Sequence, residues 1–388
     1  MKIALSTGMI QRGKTGVAQY VFALGKALLE AGGGHEISFL VLEEDLPLFA
    51  FAEGRARIVP VAEKWRGALA NIRWHQTVLP GWLRHEGIDV VHVPSYRRLL
   101  WPRPCALVAT IHDLAPFHVQ GKYDPARMFY GRVVVRRLAR RQDAVIAVST
   151  HTARDIERFF GIPVDRQHVI LNGLDHGRFR SGDTGAARAD VAGRWGLDQP
   201  FFLYVSRLEH PAKNHVRLIE AFARFKADTG SPWLLALGGS DWHGAEAIHA
   251  AAAASPCRES IRFLGFVPDE ALPDLYRAAG AMVYPSLFEG FGFPPVEAMA
   301  CGCPVISSDR GSLQEVAAPA AVVVDPESVP SIAGGLARLA GDPAARQDLA
   351  ARGLEHAGRF DWRDNARRVL DVYAGAVEKR RAKNPAVS

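Results

Sequence analysis

Two glutamates, Glu289 and Glu297, flank a proline-containing turn in the stretch FEGFGFPPVEAM. The consecutive prolines 294 and 295 exclude a helix that continues from one glutamate to the other, but proline is well tolerated in a first helical turn. We therefore predict that Glu289 lies on a loop and that Glu297 lies just inside a helix. Two such carboxylates could accept hydrogen bonds from a ligand with many hydroxyl groups, and the helix N-terminus favours an anion on that ligand.

Two basic residues form a second candidate group. Arg207 ends the apolar run FFLYVSR, and Lys213 precedes the next predicted helix. A guanidinium and an ammonium on one strand-to-helix turn can clamp a diphosphate. Solvated surface charge is the commoner fate of both residue types, but a position at the end of a predicted strand favours phosphate binding.

The amino-terminal half offers two further candidates. The first loop, STGMIQRGKTGVAQY, contains Gly8, Gly13 and Gly16, which would let the backbone approach a ligand closely. The loop is not G-x-G-x-x-G, so the dinucleotide-binding fingerprint is absent. His112 follows the predicted strand CALVATI. It could hold a substrate hydroxyl or phosphate, or it could simply be satisfied by backbone groups.

Predicted strands and helices alternate along the chain, with a pause between about residues 178 and 199. The strand-like runs are continuously apolar, which is typical of parallel sheets covered on both faces. We therefore expect an α/β protein with two Rossmann-like, doubly wound domains, residues 1–185 and 186–358. A terminal helix, 359–388, would pack back toward the first domain and end in a basic tail. Ligands bind at the carboxyl ends of such strands, here in a cleft between the domains.

The composition of the 388 residues limits the function classes. A net charge of +6 and a pI of about 9.2 favour anionic partners, although we find no nucleic-acid motif. The four cysteines are too scattered for a disulfide framework or a zinc site. No apolar run approaches the roughly 18 residues of a transmembrane helix. These features predict a cytoplasmic protein.

A basic helix is predicted for residues 127–142. Arg132, Arg136 and Arg140 recur at helical spacing and would form one stripe. The stripe could contact an acidic membrane surface or an anionic acceptor, or it could be a solvated face.

The glutamate block resembles the retaining glycosyltransferases of family 4. The motif EGFGFPPVEAMACGCPVISSD, with its E-x7-E spacing, carries most of the resemblance, together with SRLEHPAKN. Further matches follow in the same order: TGVAQY, TIHDL, VILNGLD, RFLGFVPDEALPDLY and FDW. The resemblance covers nearly the whole chain and implies the two-domain GT-B fold of the mannosyltransferase-like group 1 enzymes.

The family resemblance assigns roles to the four charged candidates. Glu297 would accept hydrogen bonds from the donor ribose, and Glu289 would hold hydroxyls of the transferred sugar. Arg207 and Lys213 would grip the diphosphate and stabilise it as it leaves. The sequence has no D-x-D triplet, so the implied enzyme needs no metal or other cofactor.

Other residues receive roles only through the resemblance. Backbone N–H groups of Phe291, Gly292 and Phe293 would orient sugar and phosphate, and Phe266 and Val267 would flank the nucleotide base.

Gly16 and His112 receive the roles implied for the first domain. Gly16 would let the first loop approach the diphosphate, although this loop reads Lys-Thr-Gly-Val where the family has two glycines. His112 would contact the donor sugar near the reacting centre. Transfer would retain the anomeric configuration, with the leaving diphosphate itself as the base.

The resemblance implies a nucleotide-sugar donor and a glycan or lipid-linked oligosaccharide acceptor for a surface polysaccharide, such as O-antigen, capsule or exopolysaccharide. The stretch RLEHPAKN favours GDP-mannose, with UDP-glucose, UDP-N-acetylhexosamines and deoxysugar nucleotides as alternatives. An enzyme with such an acceptor would work at the inner face of a membrane. The rival classes are an epimerase or phosphorylase of the same fold, a catalytically inactive nucleotide-binding subunit and, least favoured, a dehydrogenase.

Overall fold

The chain folds into two compact units, each built around its own sheet. The computed structural model describes residues 1–13, 15–101, 103–114, 117 and 130–383. The first unit comprises Met1–Gly173 and Asp361–Ser388, and the second comprises Leu174–Phe360.

Within the described residues, the first unit contains a seven-stranded parallel sheet. Its strands are β1 (Lys2–Ser6), β2 (Glu36–Leu42), β3 (Arg57–Val61), β4 (Val90–Val93), β5 (Ala106–Ile111), β6 (Ala144–Ala147) and β7 (Gln167–Val169). Their order is β3-β2-β1-β4-β5-β6-β7. The winding therefore reverses between β1 and β4, and in doubly wound folds ligands bind beyond the carboxyl ends of the strands at this switch point.

Helices accompany the first sheet because its strands are apolar on both faces. The described α-helices are Gly16–Ala31, Ala68–Thr77, Leu79–His85, Arg136–Ala139, Thr150–Asp155 and Trp362–Lys383. Two π-helical turns, Tyr130–Val135 and Ile156–Phe160, adjoin them. Short 3-10 turns are Gln11–Gly13, Glu43–Ala52, Glu63–Trp65, Tyr96–Arg98 and Val164–Arg166.

The second unit, which the structure describes throughout, contains a six-stranded parallel sheet. Its strands are β8 (Phe201–Val205), β9 (Leu234–Gly238), β10 (Ile261–Gly265), β11 (Ala281–Tyr284), β12 (Val305–Ser308) and β13 (Ala321–Val324). Their order, β10-β9-β8-β11-β12-β13, places the switch point between β8 and β11. Two wholly parallel sheets confirm the predicted α/β doubly wound class.

The helices of the second unit alternate with its strands. They are Thr184–Trp195, His215–Thr229, Ala245–Ala254, Leu272–Ala278, Phe293–Ala300, Leu313–Val316, Val329–Gly341 and Pro343–Ala357. Short 3-10 turns are Arg258–Ser260, Asp269–Ala271 and Ala318–Ala320.

The division between the units precedes residue 174 instead of following residue 185, the predicted boundary. The intervening segment belongs to the second unit because it packs there: the Phe179 and Tyr276 rings lie 6.1 Å apart, and Arg277 Nε donates to the carbonyl of Arg180 at 3.0 Å. The chain re-enters the first unit at Asp361, where the helix Trp362–Lys383 packs against the helix after β1.

Candidate functional site

The switch point of the second sheet places the two charged motifs on neighbouring turns. Arg207 follows β8, and Glu289 lies on the loop after β11, which pairs with β8. The buried Asn214 ties the two turns together, because its side-chain amide donates to the carbonyl of Pro285 at 2.9 Å. Lys213 precedes Asn214 and is thereby held beside the Glu289 loop.

Glu289 and Lys213 form a shielded ion pair. Lys213 Nζ donates to Glu289 Oε1 at 2.6 Å, and the Tyr284 hydroxyl donates to the same oxygen at 2.9 Å. The side chains of Lys213 and Glu289 are only 16% and 13% exposed. Burial and the nearby Glu289 carboxylate raise the pKa of Tyr284 well above its ordinary value, so its hydroxyl stays a donor. Within the described residues Glu289 Oε2 accepts no hydrogen bond, which leaves it for a ligand hydroxyl.

The loop after Glu289 presents its backbone amides. The Ser312 hydroxyl donates to the carbonyls of Glu289 and Phe291, at 3.0 and 2.9 Å. Gly292 has a φ of 93° and precedes the helix that begins at Phe293. Among the described residues, the N–H groups of Phe291, Gly292 and Phe293 find no backbone acceptor. Unsatisfied N–H groups at a helix N-terminus favour an anion.

Gly292→Ala should displace this loop. The φ of 93° is strained for any side chain, and an added Cβ would lie 2.6 Å from Cδ2 of the buried Leu313. We expect a loss of about 1–3 kcal/mol in the free energy of unfolding, measured by urea denaturation, together with weaker nucleotide binding. Gly302→Ala is the matched control, because φ there is 77° but a Cβ meets nothing within 4 Å. Equal losses in stability and unchanged nucleotide binding in both variants would contradict the expectation.

Glu297 lies inside the helix Phe293–Ala300, as its spacing from the prolines predicts. The Tyr276 hydroxyl donates to Glu297 Oε2 at 2.8 Å. Burial raises the pKa of Glu297 to about 7, while the Tyr276 hydrogen bond and the Arg178 charge lower it and Asp269 raises it further. A ligand that donates hydroxyl hydrogens here would therefore favour the ionised carboxylate.

Arg207 does not contact the Glu289 group within the described residues. Its guanidinium lies 4.9 Å from the Trp242 ring centroid, and Nη2 is 3.1 Å from Glu209 Oε2. The Arg207 side chain is 53% exposed, so it has room to change rotamer. Its grip on a diphosphate stays a prediction.

The rim beyond β9 and β10 carries the residues predicted to flank a base. Phe266 is 73% exposed, whereas Val267 is buried. Gly239 requires glycine, because φ is 148° and a Cβ would lie 1.9 Å from the Ser206 carbonyl oxygen. Its N–H donates to the carbonyl of Gly265 at 2.7 Å, which fixes the two turns together. An exposed aromatic ring on a fixed turn could stack on a base.

His112 and Gly16 belong to the first unit, so their predicted relation to the second unit's site stays a prediction. Burial lowers the pKa of His112 to about 4, against a hydrogen bond with the carbonyl of Pro94. Its Nε2 is buried and has no hydrogen-bond partner among the described residues, and the Tyr20 ring packs edge-on against it at 4.6 Å. His112 is therefore a neutral imidazole whose Nε2 has no hydrogen-bond partner among the described residues.

Gly16 begins the first long helix, Gly16–Ala31, which the Thr15 side chain caps by accepting from Ala18 N–H at 3.2 Å. Gly16 is exposed, and an added Cβ would meet nothing within 4 Å among the described residues. No contact around it therefore requires glycine.

The predicted basic helix is helical from Tyr130 to Ala139 among the described residues. Residues 127–129 lie outside the described residues, and Tyr130–Val135 forms a π-helical turn before Arg136–Ala139. Arg140 Nε donates to the carbonyl of Phe160 at 2.7 Å, so this arginine caps a neighbouring helix end. Arg132 and Arg136 are exposed.

Sequence reasoning missed the groups that hold the two glutamates. Tyr276 and Tyr284 are neutral, and the hydroxyl of each donates a hydrogen bond to one carboxylate oxygen, of Glu297 and Glu289 respectively. Ser312 and Asn214 hold the surrounding backbone. The only available signal was the position of Tyr284 at the end of an apolar run, directly before the motif.

The described residues contain neither a metal-binding cluster nor a membrane-spanning helix. No three or more His, Cys, Asp or Glu residues among them are grouped so as to hold a metal ion. No helix among them combines the length and apolar character needed to cross a membrane.

Sequence comparisons find two matching family models and several related proteins. Residues 189–356 match "Glycosyl transferases group 1", and residues 14–178 match "Glycosyltransferase Family 4". The chain is 29% identical to the O-antigen chain mannosyltransferase B of Escherichia coli, over 96% of this chain and 99% of that protein. It is 31% identical to a D-inositol 3-phosphate glycosyltransferase of Xylanimonas cellulosilytica, over 88% of this chain and 80% of that protein.

Solved structures share the fold. A sucrose-phosphate synthase from Thermosynechococcus elongatus superposes with a TM-score of 0.77 at 22% identity, over 96% of this chain and 98% of that chain. Anabaena HepE in complex with UDP-glucose gives 0.75 at 19% identity, over 96% and 99%. The protein is a glycosyltransferase with the GT-B fold. It belongs to the glycosyltransferases that these two family models describe, group 1 and family 4, which confirms the resemblance drawn from its motifs.

Proposed function

We propose that the protein transfers mannose from GDP-mannose, with retention of configuration, to a glycan or lipid-linked oligosaccharide acceptor in surface-polysaccharide synthesis. The observation that carries this proposal is the 29% identity with an O-antigen chain mannosyltransferase along nearly the full length of both chains. The enzyme would work in the cytoplasm, with peripheral contact at the inner face of the membrane. Exposed Arg132 and Arg136 support such a contact.

The geometry of the second unit supports separate binding groups for the ribose, the transferred sugar and the diphosphate of a nucleotide sugar. Glu297 would accept hydrogen bonds from the ribose, and Oε2 of Glu289 would accept one from the transferred sugar. Lys213 carries three N–H donors, of which one is used by Glu289, so two can reach a diphosphate. The open amides of the Glu289 loop would add further donors. Positive charge placed here stabilises the leaving diphosphate without a metal.

The reaction would form and break bonds on one face of the sugar. The acceptor hydroxyl oxygen forms a bond to the anomeric carbon as the bond from that carbon to the diphosphate oxygen breaks. The acceptor proton passes to the departing diphosphate. Such a step needs no protein base, which suits a Glu289 carboxylate already bound by Lys213 and Tyr284.

Donor affinity should rise as pH increases from about 6 to 8. Glu297, with a pKa of about 7, is mostly protonated at the acidic end of this range and then accepts ribose hydroxyls less well. Binding that requires the carboxylate gains up to about tenfold per pH unit below the pKa. Calorimetry with a nucleotide sugar, without acceptor, measures the profile. Its diphosphate is doubly esterified, so it does not titrate in this interval.

Two variants make the pH prediction specific to Glu297. Glu297→Gln should bind more weakly with a flat profile. Tyr276→Phe should move the midpoint upward, because the Tyr276 hydrogen bond lowers the pKa of Glu297. A flat profile for the unaltered protein would refute the role of the carboxylate.

The donor is tested by incubating the purified protein with GDP-mannose, UDP-glucose, UDP-N-acetylglucosamine and a deoxysugar nucleotide, each with and without oligosaccharide acceptors. A thermal-shift panel of nucleoside diphosphates runs beside it, since the product of the true donor should stabilise the fold by about 2.7 kcal/mol at a hundredfold excess over its Kd. Selective stabilisation by GDP and mannosyl transfer from GDP-mannose support the proposal. Transfer from a uridine nucleotide alone would replace the donor, and phosphate-dependent cleavage of glycans would indicate a phosphorylase.

A further inference from the structure

The switch point of the first sheet holds an arginine whose charge is not balanced by a carboxylate. Arg98 ends the turn after β4, beside the loop after β1. Its Nε donates to Asn71 Oδ1 at 2.7 Å, and its Nη1 reaches the carbonyl of Arg97 at 3.4 Å. Across the part of the chain that the structure describes, no carboxylate lies within ion-pair distance of Arg98.

Another shielded arginine of the same unit shows the usual arrangement. Arg66 is 22% exposed and pairs with two carboxylates, Asp45 at 3.1 Å and Glu63. Arg98 is half-buried but has a neutral amide in place of a carboxylate. Desolvation accordingly lowers the pKa of Arg98 from its ordinary value. A shielded cation without a counter-ion is unfavourable unless an anion joins it.

The amide that holds Arg98 is itself fixed. Asn71 is buried, and its side-chain Nδ2 donates to the carbonyl of Trp65 at 3.1 Å. Its backbone carbonyl contacts His75 Nδ1 at 2.8 Å, and His75 Nε2 lies 2.9 Å from Ser6 Oγ at the end of β1. Asn71 accepts from Nε of Arg98 and the Arg97 carbonyl from Nη1, whereas Nη2 makes no hydrogen bond to the described residues.

Gly8, in the loop after β1, lies close to Asn71 and has a backbone N–H that could bind a ligand. A Cβ on Gly8 would lie 2.7 Å from Asn71 Nδ2, so glycine permits the loop to approach the amide that positions Arg98. The N–H of Gly8 donates to no backbone carbonyl among the described residues. A fixed guanidinium edge and an open backbone amide at a topological switch point are suited to an oxyanion.

We propose that Arg98, with the Gly8 amide, binds a phosphate group on the acceptor substrate. The assignment of this anion to the acceptor rests on the proposed function, in which Lys213 and Arg207 of the second unit would supply the cations for the donor diphosphate. The phosphate could belong to a soluble sugar phosphate or to a polyprenyl-phosphate lipid. Both offer the same tetrahedral oxyanion to the Nη edge.

Binding without donor or turnover tests the site directly. The unaltered protein, Arg98→Gln and Arg84→Gln are titrated with mannose 1-phosphate, and separately with phosphatidylcholine vesicles that contain a polyprenyl phosphate. Arg84 is an exposed arginine on the helix Leu79–His85 of the same unit, so its variant reproduces the change in net charge. Arg98→Lys keeps the charge but loses the planar fork, and circular dichroism checks that each variant is folded.

Arg98→Gln should weaken binding of one probe by about tenfold or more relative to Arg84→Gln, with Arg98→Lys between them. Loss for mannose 1-phosphate indicates a soluble acceptor, and loss confined to the vesicles indicates a lipid acceptor. Equal binding of both probes by all variants, or no binding of either probe by the unaltered protein, would overturn the proposal. The sugar-transfer assays test the proposed function independently. Phosphate binding at Arg98 by a protein that transfers no sugar would support the anion site and contradict the proposed function.

Discussion

Glu289→Ala should abolish sugar transfer while the fold persists. Its carboxylate is held by Lys213 and Tyr284 through one oxygen, and the other oxygen would position the transferred sugar. Loss of one such preorganised group typically lowers kcat by about 10²–10³, and alanine also releases Lys213 from its place. A radiolabelled-sugar transfer assay at saturating donor measures the effect.

Glu289→Gln and Glu246→Ala are the matched variants for this experiment. Glutamine keeps an oxygen that can accept from Lys213 and Tyr284, so it separates loss of charge from loss of packing. Glu246 is exposed on the helix Ala245–Ala254, and its loss should leave kcat unchanged. Near-normal turnover by a folded Glu289→Ala protein would exclude a central role for this carboxylate.

Most of the fold could be predicted because buried parallel strands have continuous apolar sequences. Two strands lack this signal, Arg57–Val61 and Gln167–Val169, and both lie at sheet edges. The first contains a proline and is only partly buried, and the second has three residues. An edge strand is covered less completely, so its sequence lacks the uniform apolar signal.

The helix Thr184–Trp195 lies in the segment, about residues 178 to 199, where the sequence predicts a pause in the alternation of strands and helices. Two glycines, Gly185 and Gly193, weaken its helical signal. Caps at both ends stabilise the helix, because the Asp183 side chain accepts from two backbone N–H groups and Gly196 ends the helix with a φ of 64°. Capping of this kind depends on side-chain geometry that composition does not reveal.

The candidate site was predictable where backbone constraints fix it. The two prolines determine where the helix begins, and this places Glu289 on a loop and Glu297 inside the helix. The partner Tyr276 was not predictable, since a tyrosine in a short amphipathic helix usually indicates core packing. The direction of Arg207 toward Trp242 was also inaccessible, because an exposed arginine has many rotamers of similar free energy.

Lys213→Ala should weaken nucleoside diphosphate binding by about 100-fold. Hydrogen bonds to charged groups contribute about 1.5–3 kcal/mol, and the substitution leaves the Glu289 carboxylate without its cation, where it repels phosphate. At a ligand concentration of 100 times the original Kd, the unaltered protein gains about 2.7 kcal/mol of stability. The variant at the same concentration would be near its own Kd and gain only about 0.4 kcal/mol. Thermal or urea unfolding with and without ligand measures the difference.

The double variant Lys213→Ala/Glu289→Ala separates the direct loss of a phosphate donor from the effect of the exposed carboxylate. If repulsion by Glu289 contributes, removing it from the Lys213→Ala background should recover part of the lost affinity, and the cycle gives a coupling free energy beyond the roughly 0.5 kcal/mol expected of independent sites. Arg224→Ala, an exposed cation on the helix His215–Thr229, controls for net charge. Undiminished ligand-induced stabilisation in Lys213→Ala would exclude Lys213 from diphosphate binding.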